Sequence, residues 1–428
     1  MRVAIIGGSS FSTPSLLKFL DSKRTPGKME IVLAGRSSER LAAVSRASHL
    51  LIRGDLKIRT EQTETNNWHM VLDGADSVVI QIRVGGLDGR LFDETFPNKY
   101  GLCGDEGLGA GGLSAGWRTW PVLAPILEAI TKFCPRAFVI LLTSPLSPLV
   151  RASLKHTDLN LVGICELPWT TLQELSNSLG LQTSEIQVDY FGVNHLGWFF
   201  NIRSGSHNLW NELRNEFAAA AKRSFPNSQF LGTQSCFPTR YLRMHYEPDK
   251  VLAEQTSQSV PRAEILGDIQ RRSYQTYRNG QLSEIVSVLK GRSTPWYTQA
   301  VGPLLLAFGG QQVEIPFFLS GRNGAYVPFL APDDIIEGRH HWAEGGLFRL
   351  PLTSAPPKHV VENLVPFVQF ERVATEAIMG RSIPLLREAL SLHPWIRDHG
   401  IRDQVQLQSI VDEIVTANDA MLMAGARR

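Results

Sequence analysis

The run Arg2-Val-Ala-Ile-Ile6, followed at once by Gly7-Gly8-Ser9-Ser10, constrains the fold of this chain more than any other stretch. A short β-branched strand ending in two glycines needs a tight turn, and residues 14–21 then read as a helix. The same alternation repeats. Strand-like runs at 3–6, 30–34, 57–60, 77–82, 137–142 and 161–165 are separated by longer helical segments, among them 38–52 with Ser37 or Ser38 as its cap. Strand, crossover helix and strand in series is the signature of a parallel sheet, so the spacing predicts a doubly wound α/β domain.

From about residue 187 the texture changes. Strands are predicted at 188–193 and 198–203, helices at 211–224 and 261–277, Gly/Pro-rich loops at 309–329, and a helix-rich close over 357–427. With no Gly/Ser linker and no repeat, the expected organisation is a dinucleotide-binding domain over 1–170 packed against an α+β domain over 171–428. The second domain would carry substrate, metal and oligomerisation contacts, and the cleft belongs between the two. A chain of 428 residues with 43% hydrophobic content has ample material for both cores.

Charge excludes some partners. The 43 Lys+Arg nearly cancel the 41 Asp+Glu, leaving +2, so nothing drives the chain toward nucleic acid or an anionic membrane. Its longest apolar runs, 137–142 and 304–308, are too short to span a bilayer. Cys103, Cys134, Cys165 and Cys236 show no paired spacing, against a disulfide scaffold or zinc knuckle. The N-terminus reads as a strand rather than a signal peptide. A cytoplasmic enzyme acting on a small molecule is expected.

Gly7 and Gly8, at the first strand-to-helix junction, suit close approach of a pyrophosphate to a helix N-terminus. The spaced G-x-G-x-x-G is absent, and a tight turn without a ligand is the competing reading. The second strand ends in Ala34-Gly35-Arg36-Ser37, where NAD enzymes carry an acid for the ribose. Arg36 leaves NADP open beside NAD, and a merely solvated arginine open beside both.

Further motifs are harder to attribute to structure. They are Gln81-Ile-Arg-Val-Gly-Gly86, Lys99-Tyr-Gly-Leu-Cys-Gly-Asp-Glu106, Gly111-Gly112, Arg118-Thr-Trp-Pro121, Gly163-Ile-Cys-Glu-Leu-Pro168, Phe191-Gly-Val-Asn-His-Leu196, Arg292-Ser-Thr-Pro-Trp-Tyr-Thr298 and Arg322-Asn-Gly-Ala325. In this order the constellation resembles the NAD- and manganese-dependent glycosidases of glycoside hydrolase family 4, and within them the 6-phospho-β-glucosidases. The resemblance runs over nearly the whole chain, to His393-Pro394.

That resemblance implies a Rossmann-like N-terminal domain of the lactate/malate dehydrogenase type, with Gly7, Gly8, Ser9, Ser10 and Arg36 at the cofactor. Cys165 and His195 would ligate Mn2+ or another divalent ion, with substrate hydroxyls completing the shell. Taken singly, a buried apolar cysteine and a core histidine would be the commoner reading. Tyr297 would remove the sugar C2 proton, although a packing role beside Trp296 competes. Arg83 is the candidate for a substrate 6-phosphate, against a salt bridge to Asp105 or Glu106, and Arg262 and Arg292 are further anion candidates. Asn194 belongs to the substrate set.

Two departures from the family pattern stand out. Thr143-Ser144-Pro145 replaces the usual Thr-Asn-Pro, placing Ser144 where a carboxamide would meet substrate or nicotinamide. Glu166 follows the candidate metal cysteine where β-acting members carry Asn and α-acting ones Asp, so it is a candidate proton donor and leaves the anomer open. The implied reaction is hydrolysis of a glycoside, expected to be 6-phosphorylated, through oxidation at C3, loss of the C2 proton, elimination, water addition and reduction. A dimer or tetramer is implied. The competing readings are an NAD(P)-dependent sugar or hydroxyacid dehydrogenase, an α-glycosidase acting on an unphosphorylated sugar, and a cofactor-binding protein without turnover.

Overall fold

A computed structural model describes residues 1–23, 29–63, 67–219, 235–291, 293–398, 401 and 403–426. Six strands make its parallel part: β1 (Arg2–Ile6), β2 (Glu30–Gly35), β3 (Lys57–Gln62), β4 (Ser77–Ile80), β5 (Phe138–Leu141) and β6 (Leu161–Ile164). Their order in space is β3-β2-β1-β4-β5-β6, every pairing parallel. The chain winds one way from β1 to β3, then returns beside β1 and winds the other way. Loops diverge at the carboxyl ends of β1 and β4, opening the crevice in which such sheets bind ligands.

Apart from β3, the polar strand at the sheet edge, these strands are buried on both faces, as near-continuous apolar runs require. Val3, Ile5, Ile31 and Leu33 point into one core with Leu16 and Leu17; Ala4, Ile6, Val32 and Ala34 point into the other with Leu123 and Leu127. The period-two alternation of Cβ directions sorts one sequence into two cores.

The second half extends the same sheet. Its strands are β7 (Gln187–Val193), β8 (Leu196–Ser204), β9 (His207–Asn208), β10 (Cys236–Pro238), β11 (Phe317–Arg322), β12 (Ile335–Ala343) and β13 (Gly346–Arg349). β11 joins antiparallel to β6 through Leu319↔Ile164 and Ser320↔Gly163, and β12, β7, β8 and β10 follow in order. Leu304 and Leu305, from the helix Gly302–Phe308, are fully buried in the core that holds Ile5 and Leu33. Burying each contributes roughly 1.5–3 kcal/mol, so the late segment helps stabilise the early one.

Two elements depart from the sequence expectation. Within the stretch predicted as Gly/Pro-rich loops, Phe317–Arg322 is a strand, because Pro316 and Gly324 punctuate a short apolar run that lies between β6 and β12. The helix Gly109–Phe133 runs through Gly111, Gly112, Gly116, Pro121 and Pro125, residues that hide it from a pattern reading. Space dictates the glycines: a Cβ at Gly111 would stand 2.2 Å from the carbonyl oxygens of Asp93 and Asp105. The expected cap is present, with Ser37 Oγ accepting from the Arg40 amide at 3.2 Å. The helix expected over 211–224 is described as Trp210–Ala219, its remainder lying outside the described residues.

Candidate active site

The glycine turn sits over the point where the strand order reverses. Gly7 has φ +86°, and a Cβ there would lie 2.8 Å from the Gln81 carbonyl oxygen; at Gly8 it would lie 2.8 Å from the Ile5 carbonyl oxygen and 2.9 Å from Leu33 Cα. Only glycine lets the turn pass so close to β4 and β2. Helix Arg262–Asn279 braces it, with the Tyr274 hydroxyl donating to the Ser9 carbonyl (2.6 Å) and that of Tyr277 to the Phe11 carbonyl (2.7 Å).

Cys165 follows β6 directly. Its Sγ accepts from the Leu167 amide at 3.5 Å and lies 3.6 Å from Glu166 Oε2. Burial, with Glu166 and Glu337 nearby, pushes the thiol well above its ordinary pKa, while a hydrogen bond from Asn194 works the other way. The Asn194 carboxamide also donates to Glu337 Oε1 at 3.4 Å.

Asn194 and His195 form the tight turn joining β7 to β8. His195 takes φ +69°, a left-handed conformation that costs a non-glycine residue about 1–2 kcal/mol. Its carbonyl accepts from Thr239 Oγ1 at 2.7 Å, and its ring stacks on Tyr241 with centroids 4.4 Å apart and planes within 7°. Burial lowers the imidazole pKa to about 4, opposed by Glu106 and assisted by Arg240, so the ring is neutral at pH 7. Its buried Nδ1 has no hydrogen-bond partner among the described residues.

The loop after the short helix Phe96–Tyr100 closes on that ring: a Cβ at Gly107 would be 3.3 Å from His195 Cε1 and Nδ1. Glu106 on this loop is gripped by Arg83 through two bonds, 3.1 and 2.9 Å, and by Arg90 at 3.1 Å. The two guanidiniums hold its carboxyl below the usual range despite burial. Next to it, burial lifts the Asp105 carboxyl to about 7, although the Gly107 amide donates to it at 2.8 Å.

The sequence matches the description "Family 4 glycosyl hydrolase" over residues 2–181 and "Family 4 glycosyl hydrolase C-terminal domain" over residues 190–396. The chain belongs to glycosyl hydrolase family 4. This family 4 glycosidase is 26% identical over 434 residues to the 6-phospho-beta-glucosidase BglT of Thermotoga maritima, covering 99% of this chain and all of that one. It is 23% identical to the phospho-alpha-glucosidase PagL of Clostridium acetobutylicum, over 91% of this chain and 93% of that protein. In structure it matches the Thermotoga maritima 6-phospho-beta glucosidase described with manganese, NAD+ and glucose-6-phosphate, at TM-score 0.85 and 22% identity, covering 98% and 99% of the two chains.

The residues of this glycosidase fit the groups its family implies. A turn that a Cβ would fill suits a pyrophosphate. A neutral imidazole whose Nδ1 has no partner among the described residues, sharing the neighbourhood of Tyr241 with the Cys165 thiol, suits a divalent transition ion. Among the described residues no three His, Cys, Asp or Glu converge as a metal cluster, so water or substrate oxygens would have to supply the other ligands.

The sequence-derived candidates divide. Cys165 and His195 share the neighbourhood of Tyr241: His195 stacks on it, and Cys165 is close enough to raise its pKa. Arg262, at the N-terminus of its helix, acts on the same phenol in the opposite sense, as does Arg240. Tyr297 lies elsewhere. It is buried in the core beneath the glycine turn, donating to Gln81 Oε1 at 2.6 Å with Ser10 and Thr13 as further hydrogen-bond neighbours. Arg83 is committed to Glu106, the ion pair that competed with its phosphate role. Ser144 is half-buried on the loop that follows β5, and Arg292 lies outside the described residues.

Sequence reasoning missed Tyr241, Arg240 and Glu337. Thr239-Arg240-Tyr241 carries no motif and follows a strand of only three residues, β10. Glu337 is a fully buried carboxyl on β12, pushed up to about 7 by burial and hydrogen-bonded by Tyr190 at 2.6 Å. An acid within Ile335-Ile-Glu-Gly338 was the available signal for it.

Proposed function

We propose that this glycosidase hydrolyses 6-phosphorylated glycosides in the manner of a 6-phospho-β-glucosidase, with a nicotinamide dinucleotide on the Gly7–Ser10 turn and a divalent ion such as Mn2+ at Cys165 and His195. The carrying observation is the Tyr241 ring stacked 4.4 Å from that of His195, with Cys165, Arg240 and Arg262 in electrostatic reach. Near-full-length similarity to enzymes named 6-phospho-beta-glucosidase supports the substrate class.

When bound, the dinucleotide supplies reversible hydride transfer at the sugar and the ion supplies positive charge beside it. Tyr241, rather than Tyr297, accepts the C2 proton, because it alone of the two lies against the ligand pair with two arginines nearby. Arg240 and Arg262, both close enough to Tyr241 to lower its pKa, take the 6-phosphate. Arg83 keeps Nη1 for the substrate while Glu106 fixes its orientation. Asn194 holds the Cys165 sulfur in place, Ser144, on the loop after β5, meets substrate or nicotinamide, and Glu166 protonates the leaving oxygen. An α-acting reading is favoured by that Glu166 carboxyl, 3.6 Å from the candidate ligand sulfur.

Nitrophenyl 6-phosphoglycosides of both anomers, in gluco and galacto forms, test this with Mn2+, dinucleotide and reductant. Nitrophenol release without net reduced nicotinamide is expected. Stoichiometric accumulation of reduced nicotinamide would instead make the chain a dehydrogenase, and activity confined to unphosphorylated sugars would remove the phosphate role. Four free cysteines support a cytoplasmic location, and the family likeness supports assembly into dimers or tetramers.

A further inference from the structure

The tip of β2 adjoins the glycine turn: a Cβ at Gly35 would lie 2.8 Å from Ser9 Oγ. In this fold the residue just beyond that tip faces the adenosine ribose. Here it is Arg36, exposed, with no carboxylate partner among the described residues. Among the described residues its side chain makes one hydrogen bond, from Nη1 to the Gly425 carbonyl at 3.5 Å near the end of the last helix, and its backbone carbonyl accepts from Gln62 Nε2 at 3.1 Å. Most of the guanidinium is uncommitted while the backbone beneath it is pinned.

The neighbouring charges have the same sense. Arg40, one helical turn on, lies 5.3 Å from the centre of the Tyr274 ring, the residue whose hydroxyl holds Ser9. The only acid in the first turn of the helix Ser38–Leu51 is Glu39, and Arg278 binds it at 2.9 Å. Ser37 Oγ is spent on the cap, whereas the Ser38 side chain is exposed. The N-terminus of that helix adds partial positive charge. A ribose bearing two hydroxyls finds no free carboxylate here among the described residues, and a 2′-phosphate finds an unpaired guanidinium, a second arginine and a serine.

We propose that this chain selects the 2′-phosphorylated dinucleotide, NADP, over NAD, and that Arg36 is the selecting residue. This rests on the dinucleotide reading above and sharpens it. A guanidinium–phosphate pair is charge-assisted and can be bidentate, which sets the scale at tenfold or more in affinity.

The test is equilibrium binding to the full-length protein by titration calorimetry, without turnover. NADP+ should bind at least about tenfold tighter than NAD+, and 2′,5′-ADP tighter than 5′-ADP by a similar factor. Arg36→Ala should weaken NADP+ by about 10–100-fold while leaving NAD+ within about threefold, Arg36→Lys should restore part of the loss, and the thermal unfolding temperature should be unchanged because the side chain is exposed. NAD+ binding as tightly as NADP+ overturns the proposal but spares the dinucleotide reading, as does an equal loss of both cofactors in Arg36→Ala. Failure of either dinucleotide to bind overturns both.

Discussion

Tyr297 is a buried phenol and Tyr241 a half-buried one, and their neighbours separate what each can do. Tyr297 is surrounded by neutral hydrogen-bonding groups, Gln81, Ser10 and Thr13, which position a turn. Tyr241 lies between a stacked imidazole and two arginines. Tyr241→Phe is therefore expected to lower kcat by about 10²–10⁴ and to stop deuterium exchange at sugar C2. Tyr297→Phe should keep exchange and lose about 0.5–1.5 kcal/mol of stability with its buried hydrogen bond. Measuring exchange and urea unfolding on both variants decides between them; exchange lost only in Tyr297→Phe would return the role to that residue. His195→Ala should abolish Mn2+ binding measured directly by calorimetry, and retention of full affinity would remove His195 from the ligand set.

At the scale of elements, the glycine-rich helix Gly109–Phe133 carries the charge that locks the first half together. Arg118, 2% exposed, donates to Asp93, to the Val84 carbonyl (2.9 Å) and to Asn418 of the last helix. Burial still raises the Asp93 carboxyl to about 6, so removing its partner would leave an acid with no counter-charge. Arg118→Met is expected to cost about 3–5 kcal/mol in urea unfolding. A loss below about 1 kcal/mol would mean that Asp93 is taken up as the neutral acid at little cost.

Glu371, on the helix Lys358–Gly380, gives a pH signature. Burial pushes it up to about 8, with Asp334 and Glu337 acting in the same direction and Ser147 and Arg151 against it; His393 lines the same cavity. The folded state therefore holds a proton that the unfolded chain releases near pH 4.3. Stability from this group is full below that unfolded pKa and is lost as pH rises toward about 8. The wild-type melting temperature should fall over that window, and Glu371→Gln, still able to accept from Ser147 at 2.9 Å, should flatten the fall. Identical slopes in the two proteins would show that Glu371 ionises freely.

Across the whole molecule, the two family segments meet in one sheet rather than at a linker. β11 closes the edge of β6, and Leu304, Leu305, Tyr274 and Tyr277 complete a core begun by Val3 and Ile5. A single cooperative unfolding transition is expected, with circular dichroism and tryptophan fluorescence superimposing. A fragment ending near residue 186 should aggregate, because it exposes the β6 edge and that open core. Two separate transitions, or a soluble, cooperatively folding fragment, would show that the halves are independent.

The sequence by itself determined the order of the six parallel strands' segments, the glycine turn and the Ser37 cap, because each depends on neighbours a few residues away. It also carried the family, since Arg-Val-Gly-Gly, the Gly-x-Cys and Asn-His-Leu lie along the chain in a fixed order. Tertiary structure alone decided which groups face one another. Tyr241 meets His195 across 45 intervening positions, Glu106 reaches back to Arg83, and Phe317–Arg322 becomes a strand only because β6 and β12 lie on either side of it. Contacts at such separation leave no periodicity in the string, since they are set by how strands pair and cores fill rather than by local backbone preference.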